Sequence, residues 1–153
     1  MPLNANGIAQ AHAAAAALRG RGIATIVASP LSRARVTAEI AAAALDLPVR
    51  TDAALREVAF GAHEGQPMQQ WFDDWIAGTF TPDGAEPFAE LRARAVAAIN
   101  RLLSLPAPVL IVGHGAFFRG LRATMGLVPN VRLANATPLL CEPDEPAWRL
   151  TPV

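Results

Sequence analysis

The chain has 153 residues, of which 52% are hydrophobic and 17% charged; this describes one folded domain and excludes a disordered segment. Thirteen basic residues balance thirteen acidic ones, so there is no surplus of positive charge for nucleic acid or a polybasic membrane surface. Cys141 is the single cysteine and can form neither an internal disulfide nor a cysteine-cluster zinc site.

In chain order, Asn4 is placed to cap a helix from about Ala5 to Arg19, with Gly20 as its stop. Ile23 to Ala28 is short, apolar and β-branched, which predicts a buried strand. Ser29 and Pro30 read as the N-cap and first helical residue of a helix reaching about Leu45. Val49 to Leu55 predicts a weaker strand, and Gly61 and Gly65 mark a loop. A short helix is expected from Gln66 to Ala77, carrying Trp71, Phe72 and Trp75 as its apolar face. After a loop from Thr79 to Ala85, Phe88, Leu91, Ala95, Ala98 and Leu102 recur at helical spacing within Glu86 to Ser104. Pro108 to Gly113 is the clearest buried strand, and Ala116 to Met125 a helix. Thr137 to Cys141 and Trp148 to Thr151 are the candidate final strands.

The longest uncharged run, Leu102 to Phe118, is broken by two prolines and by Gly113, His114 and Gly115, so it does not read as a membrane span. No secretory leader pattern opens the chain, and the expected compartment is the cytoplasm. Strands alternating with helices imply a single α/β domain over residues 1–153, a three-layer, mostly parallel sheet with helices on both faces. Ligands in such sheets bind beyond the carboxyl ends of the strands. That rule selects Ser29 to Arg35, Glu57 to Gly65, and His114 to Ala116.

Each of these segments carries groups able to act on an anion. Arg33 and Arg35 follow a strand end and stand in the first turn of a helix, where unpaired N–H groups and the positive end of the dipole already favour negative charge. Arginine adds a bidentate fork suited to phosphate; the alternative is that both arginines reach solvent or pair with carboxylates. His114 ends an apolar strand between Gly113 and Gly115, and those glycines let a ligand approach the backbone. Glu57 lies among apolar residues, where a carboxyl can serve as a general acid. His63 follows in the next loop and is a candidate for lining the same cleft, whereas His12 sits in the alanine-rich helix and reads as a surface residue. No His, Asp and Glu spacing matches a metal site, and no glycine pattern matches a nucleotide-binding loop; neither metal nor cofactor is expected.

Several motifs in this order resemble the histidine phosphatase superfamily, with its phosphoglycerate mutase-like fold. Pro2-Leu-Asn-Ala-Asn-Gly7-Ile-Ala-Gln-Ala11 resembles the family's first helix start, and Ser29-Pro-Leu-Ser-Arg33-Ala its phosphate-binding turn. Leu55-Arg-Glu57 with Phe60-Gly61 and Glu64-Gly65, then Asp83-Gly-Ala-Glu86, and finally Gly113-His114-Gly115 resemble its later motifs. The resemblance implies that Arg33 clamps a phosphoryl group, that His114 is the second histidine, that the Gly115 N–H contacts the phosphoryl group and that Glu57 protonates the leaving group. It implies a metal-independent phosphatase of small phosphomonoesters, with a small phosphorylated metabolite as partner and selectivity set around His63, Trp71 and Trp75.

The family's nucleophile stands in an Arg-His-Gly motif on the first strand. The histidines here are His12, His63 and His114 only, and none lies in that motif. The expectation is that this strand, the nucleophile and one clamping arginine belong upstream of Pro2, so that the chain is incomplete at its N-terminus and inactive as given. The alternative is a natural short form, a non-catalytic phosphate-binding or regulatory module. The sequence leaves the substrate and the oligomeric state open.

Overall fold

A computed structural model describes residues 2–153. Asn4 starts the first helix as expected, its side-chain oxygen accepting the Gly7 N–H at 2.8 Å, and α1 spans Ala5–Leu18. Next come β1 (Thr25–Ala28), α2 (Ser32–Leu45) and β2 (Val49–Thr51). Two 3-10 turns, Ala53–Leu55 and Gly61–His63, lead to α3 (Gln70–Ala77). The chain finishes with α4 (Phe88–Leu102), β3 (Val109–Val112), α5 (Gly115–Thr124), β4 (Leu139–Glu142) and β5 (Arg149–Pro152). No helix among the described residues is long and apolar enough to cross a membrane.

β1 is the centre of a parallel sheet ordered β2-β1-β3, and β4 pairs with β5 in a separate antiparallel hairpin. Alternation along the strands builds three layers. Val27, with Val109 and Ile111, faces the core made by Phe72, Trp75, Leu91, Ala95 and Phe117 of α3, α4 and α5. Ile26 and Ala28, with Leu110 and Val112, face Ala38 and Ala42 of α2. α1 then packs on α2, burying Ala11 and Ala15. The alanine-rich segments are therefore the thin outer layer of the domain. Small side chains there let the two helices approach closely.

Among the boundaries that differ from the sequence expectation, three have a local reason. Ser29 does not cap α2. The chain stays extended at Leu31, which precedes the helix without a side-chain cap, while the Ser29 hydroxyl accepts the Leu31 N–H and is shared with another partner described below. The second strand stops at Thr51 rather than Leu55, because the Asp52 carboxylate accepts the Ala54 N–H and turns the chain. α3 begins at Gln70 rather than Gln66, since Pro67 has no N–H to give and disfavours helix at the residue before it.

The loop between β2 and α3 is sewn to the segment before α4. Ala62 N–H donates to Asp83 O at 2.8 Å and Glu86 N–H to Ala59 O at 2.9 Å. Gly61 makes this crossing possible. Its φ is +55°, and a Cβ there would lie 2.0 Å from Asp83 O. Gly22 also has a positive φ, +73°, but faces open space. Gly22→Ala is therefore expected to cost only the left-handed penalty of about 1–2 kcal/mol. Gly61→Ala, which adds an overlap with backbone, is expected to cost more than about 3 kcal/mol. Urea unfolding of the two variants checks the difference, and equal losses would contradict this crossing.

Candidate functional site

Ala28 and Val112 are register partners in neighbouring parallel strands. The residues that follow them therefore leave the sheet side by side. Ser29 is fully buried, and its Oγ lies 2.8 Å from His114 Nε2, a hydrogen bond whose direction follows the ring tautomer. His114 occupies the N-cap position of α5 without capping it. Glu57 does that work instead. Its Oε2 accepts the Ala116 N–H at 3.1 Å, and its Oε1 accepts the Phe117 N–H at 2.9 Å and the Val58 N–H at 3.0 Å. With the helix end satisfied from elsewhere, the imidazole is left to face Ser29. Among the described residues the Gly115 N–H has no acceptor.

Arg33 is the second residue of α2, exposed at the same rim. The N–H groups of Ser32, Arg33 and Ala34 have no acceptor among the described residues, so this first turn keeps its affinity for anions. Arg35 diverges from the anion reading and pairs with Glu39 one turn along, at 3.3 Å on the surface. Burial pushes the His114 imidazole below its ordinary value, Arg33 and Arg94 push it the same way, and Glu57 opposes them. These four side chains thus share one electrostatic neighbourhood. Arg33 and Glu57 lie within electrostatic reach of His114. His63 packs among aromatic side chains. Its ring packs 4.9 Å from Trp71 and 5.6 Å from Phe80, and its Nδ1 is buried without a partner. Phe72 and Trp75 are core residues, and the Trp75 indole N–H donates to Glu86 O. His12 is exposed on α1. No group of three or more His, Cys, Asp or Glu among the described residues is arranged to hold a metal ion.

Two residues that the sequence reading did not single out for chemistry hold this site in place. Arg94 and Glu86 form a twofold ion pair, Nε to Oε2 at 2.9 Å and Nη2 to Oε1 at 2.7 Å, with side chains only 12% and 16% exposed. Arg94 Nη1 also donates to the carbonyls of Ala54 and Arg56. It therefore fixes the backbone that presents Glu57. Removing one partner of such a pair strands a poorly solvated charge. The signal was available: Arg94 sits between Leu91 and Ala98 on the apolar stripe of α4, where a charged residue needs a reason. Ser29 gave a misleading signal, because a serine before a proline also fits a helix cap.

Comparison with known proteins gives a consistent result. The model of the histidine phosphatase superfamily (branch 1) matches residues 1–150. Probable phosphoglycerate mutase GpmB of Yersinia enterocolitica is 38% identical over 164 residues, spanning 96% of this chain and 76% of that protein. The mycobacterial glucosyl-3-phosphoglycerate phosphatase in complex with VO3 superposes with a TM-score of 0.82 at 30% identity, over 99% of this chain and 86% of that one. YhfR of Bacillus stearothermophilus shares the fold, with a TM-score of 0.82 at 23% identity over 99% of this chain and 83% of that one.

The shared electrostatics make a prediction that NMR titration of the His114 ring can read. Its midpoint is expected below the usual value of about 6.5. Arg33→Ala, which removes a nearby positive charge, should raise it, and Glu57→Gln should lower it further. The unfolded chain takes up this proton first, so the associated stability is complete above about pH 6.5 and is lost as pH falls through the folded midpoint. A midpoint indifferent to Arg33→Ala would contradict this arrangement.

Proposed function

The chain belongs to the histidine phosphatase superfamily, branch 1, and from that membership we propose that the rim carrying Arg33 and His114 binds the phosphoryl group of small phosphomonoesters without a metal. In this reading the Arg33 guanidinium and the open N–H groups of α2 hold phosphoryl oxygens, the Gly115 N–H supplies a further donor, and His114 completes the cradle. Phosphoryl transfer depends chiefly on positioning and on neutralising the equatorial oxygens. A cluster of fixed donors and cations suits both needs. Where a family nucleophile is present, its imidazole nitrogen attacks phosphorus, the P–O ester bond breaks, and the leaving oxygen takes a proton, here from Glu57.

The observation that supports the proposal is that β1 and β3 end level, so that Arg33 in the first turn of α2 and His114 with the Glu57 carboxylate at the start of α5 follow neighbouring strand ends. The names of the relatives are compatible with it, since they denote a phosphoglycerate mutase and a phosphatase. One feature of this chain points to binding rather than turnover. None of His12, His63 and His114 stands in an Arg-His-Gly motif. We therefore read the 153-residue chain as a phosphate-binding module that forms no phosphohistidine.

Thermal unfolding and p-nitrophenyl phosphate hydrolysis test both parts. Inorganic phosphate at ten times its Kd should stabilise the chain by about 1.4 kcal/mol, or about 3–5 °C in Tm. Arg33→Ala should abolish that shift, and the unmodified chain should release no p-nitrophenol. A shift unchanged in Arg33→Ala would refute the site, and steady hydrolysis lost in His114→Ala would refute the non-catalytic reading.

A further inference from the structure

Ser29 follows the last residue of β1, and its hydrogen bonds leave little freedom to its hydroxyl. The backbone N–H donates to Val112 O at 3.0 Å, which ties the serine to the strand end that leads into His114. Pro30 has no N–H, and the Leu31 N–H donates to Ser29 Oγ at 3.2 Å. That local turn occupies one lone pair of the oxygen. The hydroxyl hydrogen then needs an acceptor. Among the described residues only His114 Nε2, at 2.8 Å, is within reach, and at 0% exposure the serine is closed to solvent. If Nε2 carried a hydrogen, the oxygen would accept twice and its own hydrogen would be buried without a partner. Buried hydroxyls avoid that state, because the lost hydration is not repaid.

We propose that Ser29 is a positioning residue: it donates its hydroxyl hydrogen to His114 Nε2, holds the imidazole in the Nδ1–H form, and leaves Nδ1–H as the ring's donor to a phosphoryl oxygen. The inference rests on the phosphate-binding reading above and deepens it, since it assigns the atom through which His114 meets the anion. The hydrogen bond made by one ring nitrogen decides which nitrogen carries the proton. Nδ1 has no partner among the described residues and is not enclosed; the one buried side-chain nitrogen there without a partner is His63 Nδ1. The surroundings also suit a neutral ring. Burial disfavours the imidazolium, as do Arg33 of α2 and Arg94 of α4, while Glu57 favours it. Positive charge at the rim comes from Arg33, and His114 adds one N–H at a fixed place, which needs no rearrangement when the anion arrives.

Nitrogen–proton correlation spectra of the histidine rings in the intact chain test this at about pH 8, above the ordinary midpoint of the group. Protonated and unprotonated ring nitrogens resonate far apart, so the tautomer is read directly. His114 is expected to show a protonated Nδ1 and an unprotonated Nε2, and inorganic phosphate should shift Nδ1 while Nε2 stays unprotonated. Ser29→Ala removes the donor. It is expected to give a mixture of tautomers and to weaken phosphate binding about threefold by calorimetry, because only the Nδ1–H fraction is competent. Weaker binding with the tautomer unchanged would make Ser29 a packing residue and overturn the role. A ring protonated at Nε2 in the intact chain would overturn it as well, and that spectrum decides the matter if Ser29→Ala fails to fold. Phosphate that binds without disturbing Nδ1 would overturn the assignment of the donor. Failure of phosphate to bind at all would instead overturn the underlying site, and this role with it, whichever tautomer the free chain shows.

Discussion

The parallel register of β1 and β3 is the constraint on which the site depends. With Ala28 opposite Val112, both strands end at one level, and the two segments that follow must turn out together. Ser29 and His114, 85 positions apart in sequence, become hydrogen-bonded neighbours. The helices that begin there, α2 and α5, then bring their N-termini to the same rim. A slip of one residue would send every side chain of a strand to the opposite layer. Val27 would leave the core of α3, α4 and α5, and Ile26 the face of α2. The packing of both layers therefore protects the alignment of the site.

The two helix ends at that rim are handled differently. Glu57 occupies the first turn of α5, satisfying two N–H groups that would otherwise need water or a ligand. The first turn of α2 has no acid and carries Arg33. One end is thus neutralised from within, and the other is left cationic. The carboxylate is held to this task by the partly buried Arg94–Glu86 pair, which grips the backbone on its N-terminal side. The Gly61 crossing ties the far side of the loop to the segment before α4. Asp52 contributes at the other end. Its hydrogen bond with Arg101 lowers its pKa, against the opposing effect of burial, and it caps the short turn that leads to Leu55.

Much of this was legible in the amino-acid order. Alternation of short apolar runs with helical periods conveyed the α/β layering, and the strand-end rule selected Arg33, Glu57 and His114 before any geometry was known. What stayed hidden depends on distant partners. A serine beside a proline reads as a cap, and only the neighbouring strand shows that His114 claims its hydroxyl. The end of the second strand depends on how Asp52 turns the chain, and short strands are poorly marked by composition. His63 lay close in sequence to Glu57 yet packs with Trp71 and Phe80. Arg94 was marked by its place on an apolar stripe, but its partners lie 8 and about 40 residues away.

Membership of the histidine phosphatase superfamily agrees with this fold, and the residues say what the chain brings to it: a cationic rim with a fixed carboxylate beside it. A crystal structure of the 153-residue chain with orthovanadate tests the central claim most directly. The anion is expected at the joint N-termini of α2 and α5, with oxygens within hydrogen-bonding distance of the Arg33 guanidinium, the His114 ring and the Gly115 N–H. Vanadate bound elsewhere, or Arg33 and His114 directed to opposite sides of the sheet rim, would contradict the account.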